Sequence, residues 1–141
     1  MINIEVVKNR RLLNIDKKKL AEILAHTLKS ENINKGDISI IFVDKAHILK
    51  LKKQFFGIKK ATDVIAFRLN NCAEINVEGE IYICASIAKE NAQYYQVSFE
   101  NEIARLIIHG GLHILGYRDG TKAERGLMHQ IENKYLKELG Y

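Results

Sequence analysis

The sequence contains no proline and only two cysteines. It also lacks repeats and low-complexity tracts, so nothing in the pattern marks a boundary between domains. Its 141 residues therefore predict a single domain spanning 1–141. Cys72 and Cys84 lack the CxxC spacing and the partner cysteines of a thiolate metal site. Both are expected to be buried free thiols.

Long apolar runs are absent as well. No segment approaches the roughly 20 apolar residues that span a bilayer, and Met1–Lys8 alternates apolar and polar side chains, unlike a signal peptide. We therefore expect a cytoplasmic protein with no membrane partner. The 22 Lys and Arg residues exceed the 17 Asp and Glu residues, for a formal net charge of +5. This excess favours anionic partners such as RNA, DNA or phosphorylated metabolites.

The hydrophobic periodicity predicts an α+β fold, with helices packed on a mixed β-sheet of about four strands. Strands are predicted at Ile2–Val7, Ile38–Val43, Thr62–Phe67 and Glu80–Cys84, the last two as an antiparallel pair. Helices are predicted after Asp16, over Ala46–Phe55, over Ala85–Tyr95, from Ser98 to about Leu115, and from Thr121 onward.

The last predicted helix carries two further signals. Thr121 and Glu124 have the T-x-x-E spacing of a capping box. Leu127, Ile131 and Tyr135 recur every four residues and predict an apolar stripe that docks on the core.

The strongest chemical signal lies between His109 and Asp119. His109 and His113 are four residues apart near the end of a predicted helix, so both imidazoles project from one face. Gly116 is expected to end that helix in a left-handed turn, because a residue without a Cβ atom meets no steric penalty there. The reversal brings Asp119 back toward the histidines. The segment thus predicts a three-ligand metal site on a helix and its following turn, with a position open to water.

Three other interpretations of this segment were weighed. Metzincin proteases share the spacing, but they require a glutamate general base where this chain has Gly110, which disfavours peptide hydrolysis. Iron oxygenases with two histidines and a carboxylate share the ligand set, yet their sites usually lie on β-barrels. A closed metal site or a hydrogen-bonded pair of core histidines stays open. A metal that acidifies water beside a basic surface suits phosphodiester hydrolysis, with RNA as the natural substrate.

Four motifs together resemble the YbeY-type endoribonucleases, also called rRNA maturation factors. They are HGGLHILGY (109–117), TDVIAF (62–67), GEIYI (79–83) and EIARL (102–106). The resemblance implies a single-strand-specific, metal-dependent endoribonuclease of the bacterial cytoplasm that acts in 16S rRNA 3′-end maturation and ribosome quality control. It also implies one Zn²⁺ per chain, with another divalent transition metal as the alternative, and rRNA and ribosomal particles as partners.

The chain departs from this family pattern at two places. The family motif commonly ends in Asp-His, whereas this chain has Arg118-Asp119, so the resemblance assigns the third ligand to Asp119, with His129 as a rival. The family often carries an arginine that contacts phosphate immediately before Gly57, where this chain has Phe56. The residues that offer a replacement charge, each more typical of a solvated surface, are Lys53, Lys59, Lys60 and Arg68.

Two residues upstream of the histidines complete the predicted site. Glu102 and Arg105 precede His109 by one to two helical turns and are expected to orient a ligand, although an ion pair between the two is an equally ordinary role. The rival to the enzyme hypothesis is a non-catalytic ribosome-assembly or RNA-binding factor with a structural metal. The phenylalanine at position 56 favours that rival somewhat.

Overall fold

Four strands and five helices are formed by residues 1–141, the span that the computed structural model describes. The strands are β1 (Ile2–Val7), β2 (Gly36–Val43), β3 (Val64–Arg68) and β4 (Val77–Cys84). The helices are α1 (Lys17–Ser30), α2 (Lys45–Phe56), α3 (Ala85–Tyr95), α4 (Phe99–Ile114) and α5 (Lys122–Glu138). The sheet has the order β1-β2-β4-β3, in which β3 alone is antiparallel to its neighbour. This arrangement confirms the predicted α+β class, the mixed sheet and the antiparallel β3–β4 pair.

Alternation along the strands gives the sheet two unequal faces. Ile40 on β2 and Ile81 on β4 point into the main core, a cluster of 24 buried residues that also includes side chains of α1, α3, α4 and α5. Val43 and Ile65 point to the other face, where they pack with Ile48 of α2 in a cluster of only four buried residues. Helix α2 therefore buries few residues on its face of the sheet. The other four helices contribute to the main core on the opposite face.

Strand β4 is longer than the sequence predicts. It begins at Val77, three residues before the predicted start at Glu80, because Gly36 to Ile38 of β2 pair with this first part of the strand. Helix α3 begins and ends where it was predicted, and α2 and α4 do so to within one residue. No helix combines the length and apolar character that crossing a bilayer requires.

Two adjacent glycines let α4 lie close to its neighbours. A Cβ atom at Gly110 would come within 2.7 Å of the Ile81 Cγ2 atom on β4, and one at Gly111 within 2.9 Å of the Leu24 Cδ1 atom on α1. Carbon atoms in favourable contact lie about 3.5–4.0 Å apart, so larger residues force these elements apart. The same contact explains why the position after His109 carries no carboxylate.

The C-terminus of α4 has the predicted left-handed glycine. Gly116 has φ +101°, and the Tyr117 N–H donates to the Leu112 carbonyl at 3.1 Å, which is the pattern of a Schellman motif. Arg68 on β3 donates to the Ile114 carbonyl at 3.3 Å. These bonds satisfy carbonyl groups at the helix end and direct the chain back toward the histidines.

The predicted apolar stripe of α5 is confirmed at two of its three positions. Tyr135 lies in the main core and Ile131 packs against it. Leu127 is 51% exposed, and the buried residues of α5 include Met128 and Glu132 instead. The predicted capping box of Thr121 and Glu124 is present. Cys84 is buried as predicted, but Cys72 is exposed because it lies in the polar connection between β3 and β4, outside the core.

The glycine contact yields a test of stability. We expect Gly110→Ala to lower the free energy of unfolding, because overpacking costs about 1–3 kcal/mol and exceeds the helix propensity of alanine. Gly126→Ala is the matched control: it lies in α5 with open space around it, so the same exchange should stabilise the protein by up to about 1 kcal/mol. Urea unfolding of both metal-free variants measures the difference. Equal shifts of the same sign would contradict the close-packing argument.

Candidate metal centre

The last two turns of α4 and the turn after it bring three potential ligand atoms together. The Nε2 atoms of His109 and His113 lie 3.0 Å apart. The Oδ2 atom of Asp119 lies 3.1 Å from the His113 Nε2 atom and 3.6 Å from the His109 Nε2 atom. The i, i+4 spacing places the imidazoles on one helix face, and the reversal at Gly116 returns the carboxylate to them.

Hydrogen bonds at the far side of each ring set the direction of these nitrogens. The His109 Nδ1 atom lies 2.7 Å from Glu132 Oε2, and the His113 Nδ1 atom lies 2.9 Å from the Tyr117 carbonyl oxygen. Both partners are acceptors, so each Nδ1 carries a proton and donates it. With its proton on Nδ1, each ring can offer the lone pair of its Nε2 atom to an ion beside Asp119, as metal-binding histidines do.

The donor set fits a divalent ion. Three donors bound to one tetrahedral ion at about 2.0–2.1 Å lie roughly 3.3 Å from one another, and the observed separations of 3.0, 3.1 and 3.6 Å bracket this value. A divalent ion among the two imidazole nitrogens and the carboxylate oxygen would be attracted to all three donor atoms. The cluster has no fourth His, Cys, Asp or Glu donor.

The cluster is partly open to solvent. The His109 and His113 side chains are 24% and 26% exposed, and that of Asp119 is 47% exposed. An ion held by three protein ligands in such a setting keeps a position for water or substrate, which is the arrangement of catalytic rather than structural zinc sites.

Negative charge surrounds His109. Burial acts to lower its pKa, but the hydrogen bond and charge of Glu132, together with two nearby aspartates, raise the pKa above its usual value. Glu132 is itself only 6% exposed at its side chain and pairs with Arg105, whose Nη1 atom donates to Glu132 Oε1 at 3.0 Å. The arginine offsets the charge of a carboxylate that burial would otherwise destabilise.

The structure separates the two residues that were expected to orient a ligand. Arg105 reaches His109 through Glu132, and it pairs with that residue rather than with Glu102. Glu102 accepts a hydrogen bond from Asn91 and is hydrogen-bonded to neither histidine. Burial raises the pKa of Glu102, and the charge of Asp63 adds to this effect. Glu102 therefore lies beside the site without holding a ligand in place.

The rival third ligand lies outside the cluster. The side chain of His129 is 64% exposed, and its Nδ1 atom is 3.4 Å from the Arg105 Nη1 atom. The His129 ring lies beside the Arg105 guanidinium and is not among the three clustered donor residues. The structure thus brings Asp119, and not His129, to the two histidines.

Sequence reasoning missed Glu132. The signal is present in hindsight, since Met128, Glu132 and Leu136 recur every four residues and form an otherwise apolar row with one acid in it. The predicted stripe of α5 was placed one residue earlier, which turned this acid toward solvent. A buried carboxylate needs a partner, and here the partners are a histidine and an arginine of α4.

Two cavities meet at His109. One is a cleft of about 400 Å³ that contains the three clustered side chains and is bordered by residues 62–66 of the β3 segment and by Lys52 and Phe56 of α2. The other, of about 340 Å³, lies behind His109 and is lined by Glu102, Arg105 and Glu132 among others. The clustered donors open into the first cavity, so a substrate reaches them there.

Known proteins resemble this chain over most of its length. A family model described as Endoribonuclease YbeY matches residues 4–140. The protein named Endoribonuclease YbeY from Caldanaerobacter subterraneus subsp. tengcongensis is 34% identical over 153 aligned positions, which cover 96% of this chain and 97% of that protein. A protein of the same name from Flavobacterium psychrophilum is 38% identical over 114 positions and covers 81% of this chain and 80% of its own length.

A solved structure agrees with the fold. The solution structure of TM1509 from Thermotoga maritima superposes with a TM-score of 0.66 at 32% identity, covering 99% of this chain and 89% of that one. The family match includes the histidine segment on α4 and the strands beside it. These findings confirm the resemblance seen in the four sequence motifs: the chain belongs to the endoribonuclease YbeY family.

Proposed function

We propose that this protein is a metal-dependent endoribonuclease in which His109, His113 and Asp119 hold the ion. The observation that carries the proposal is the convergence of the three donor atoms at the open cleft, in a chain whose relatives are named Endoribonuclease YbeY. We further propose that residues 1–141 form one catalytic domain. Shared burial of side chains from β1, β2, β4 and four of the helices in the main core supports it.

A bound divalent ion lowers the pKa of a coordinated water and neutralises charge on a phosphodiester. The residues of the protein position and orient the ligand atoms. Glu132 and the Tyr117 carbonyl keep the two imidazoles in the tautomer that offers Nε2. The exposed carboxylate of Asp119 completes the donor set from the turn. No side chain occupies the position of a protease general base, since Gly110 has no functional group.

Zinc is the ion that we propose, because two imidazoles and a carboxylate with an open position form a donor set that zinc accepts in catalytic sites. The carboxylate adds negative charge compared with a third histidine, which widens the range of divalent metals that the site accepts. For the substrate we propose single-stranded RNA, in particular the 3′ end of 16S rRNA during maturation and ribosome quality control. A cytoplasmic location beside ribosomal particles accords with this substrate, and the net charge of +5 supports an anionic partner.

The alternative, a non-catalytic assembly factor with a structural metal, is not favoured. A structural zinc site is normally closed by four protein ligands, whereas this cluster has three donors and borders a cleft. The names of the relatives describe an endonuclease.

Removal of any ligand should abolish cleavage. We expect His109→Ala, His113→Ala and Asp119→Ala to lose bound zinc and to cleave single-stranded rRNA at least about 100-fold more slowly, because loss of one of three donors weakens the site. His129→Ala, which removes an exposed imidazole outside the cluster, is the control and should behave as wild type. Elemental analysis and a gel of RNA fragments measure both effects, and chelation with re-addition of zinc tests reversibility. Cleavage by the three variants at the wild-type rate would overturn the proposal.

The hydrogen bond from His109 to Glu132 allows a second test. We expect Glu132→Gln to weaken zinc binding by about 10–100-fold, because a neutral amide accepts from the imidazole more weakly than a carboxylate does and polarises the ring less. Glu102→Gln changes an equally buried acid that is hydrogen-bonded to neither histidine and should change zinc affinity by less than about threefold. Competition with a zinc-binding dye measures the two dissociation constants, after circular dichroism shows that both variants are folded. Equal affinities would contradict the role of Glu132.

A further inference from the structure

Helix α2 contributes two side chains to the cleft that contains the clustered histidines and Asp119. Lys52 and Phe56 lie one helical turn apart, and both line this cleft. Their positions follow from the end of the helix: Gly57, with φ +67°, stops α2 immediately after Phe56 and leaves its last turn at the mouth of the cleft.

Lys52 is the only lysine or arginine that lines the cleft. It makes no ion pair, and its Nζ atom lies 4.8 Å from the centroid of the Phe56 ring. The ammonium is therefore in no ion pair with Asp63 or Asp119, which line the same cleft, and a cation–π contact holds it beside the Phe56 ring. Four methylene groups let the ammonium leave the ring and reach a phosphate without backbone movement.

The other basic residues near this end of the sheet do not occupy the cleft. The Arg68 guanidinium donates hydrogen bonds to the Asn70 side chain and to backbone carbonyls that include that of Ile114. Lys53 points into a shallow depression on another side of α2. Lys59 and Lys60 are exposed in the connection to β3 and line no part of the cleft. The cleft thus takes its permanent positive charge from Lys52.

The Phe56 ring is partly exposed at the cleft, with the Lys52 ammonium over it. Phe56 is 48% exposed, although phenylalanine is usually buried. Behind it, the Phe67 ring stacks at a centroid distance of 6.1 Å and an interplanar angle of 24°, and Phe67 in turn packs edge-on against Tyr82 at 5.9 Å. The ring is therefore supported by the sheet rather than free to rotate into solvent. Supported, exposed aromatic rings stack unpaired bases and are tolerant of base identity.

We propose that Lys52 and Phe56 form a nucleotide-binding pair for single-stranded RNA, in which the ammonium contacts a backbone phosphate and the ring stacks on a base next to the cleavage site. This inference rests on the proposed function, since it deepens the substrate class of the same cleft. A duplex keeps its bases stacked on each other and offers none to the ring. The pair thus favours single strands over duplexes at the entrance to the metal centre.

Binding by the metal-loaded protein tests the pair directly. The probe is a fluorescent 2′-O-methyl oligonucleotide, shown by gel to stay intact, as a single strand and as a duplex. We expect Phe56→Ala to weaken single-strand binding by roughly 5- to 100-fold and to leave duplex binding unchanged. We expect Lys52→Ala to weaken binding of both at low salt and to reduce the salt slope by about 0.7 for the single strand.

Neighbouring residues of the same type are the controls. Lys53→Ala and Phe55→Ala remove a lysine and an exposed phenylalanine from α2 outside the cleft, and each should change affinity by less than about twofold. Phe56→Leu keeps the apolar contact with Phe67 without an aromatic face, so it should bind as weakly as the alanine variant while remaining folded by circular dichroism.

Cleavage separates the two proposals. If metal-loaded wild type cleaves single-stranded RNA but the Lys52 and Phe56 variants match their controls in binding and in preference for single strands, the nucleotide-binding pair is wrong and the proposed function stands. If wild type cleaves no RNA but the two variants lose oligonucleotide binding as expected, the pair stands as a binding site and the proposed function fails. Absence of measurable single-strand binding by wild type also overturns the pair.

Discussion

The contact between α4 and the sheet at Gly110 is the constraint on which the rest of the molecule depends. Side chains usually fill the space between a helix and the sheet on which it packs, and so hold the two apart. Here hydrogen atoms replace side chains at Gly110 and Gly111, so the backbone of α4 can settle against Ile81 and Leu24. That position places both histidines at the edge of the sheet beside the β3 segment, where the cleft lies. The position of both histidines thus depends on the close packing of the neighbouring Gly110 against the sheet.

The arrangement of charge around the histidines follows from the position of α4. Helix α5 packs against α4 and supplies a buried carboxylate, which accepts from the His109 imidazole and pairs with Arg105 one helical turn before it. Buried acids are costly without partners, and this one has a partner on each oxygen. The result is a hydrogen-bonded row in which the arginine orients the carboxylate and the carboxylate orients the imidazole.

The sequence was sufficient for much of this structure. Alternation along the strands predicted the sheet because one face of every strand is buried, and the His109 and His113 spacing required only helix geometry to place two rings on one face. The left-handed turn at Gly116 followed from the steric freedom of glycine.

The remaining features depend on contacts between distant parts of the chain. The burial of Met128 and Glu132 in place of Leu127 was missed because the rows through Leu127 and through Met128 are adjacent on α5 and differ by one residue. The pairing of Glu132 with two side chains of α4 selects the row through Met128, and the sequence does not show this pairing. The position of Lys52 in the cleft was missed for a similar reason, since it depends on how α2 ends over the smaller face of the sheet.

The hydrogen bond between His109 and Glu132 links ion binding at the proposed metal site to the packing of α5 against α4. Because α5 presents the carboxylate that steadies one imidazole, occupation of the site and attachment of α5 stabilise each other, and such coupling is reciprocal. Any partner that pulled α5 away from the body of the protein would therefore weaken ion binding at the proposed site, and a bound ion would make α5 harder to detach. The packing of α5 and the stability of the proposed metal site thus depend on the same hydrogen bond.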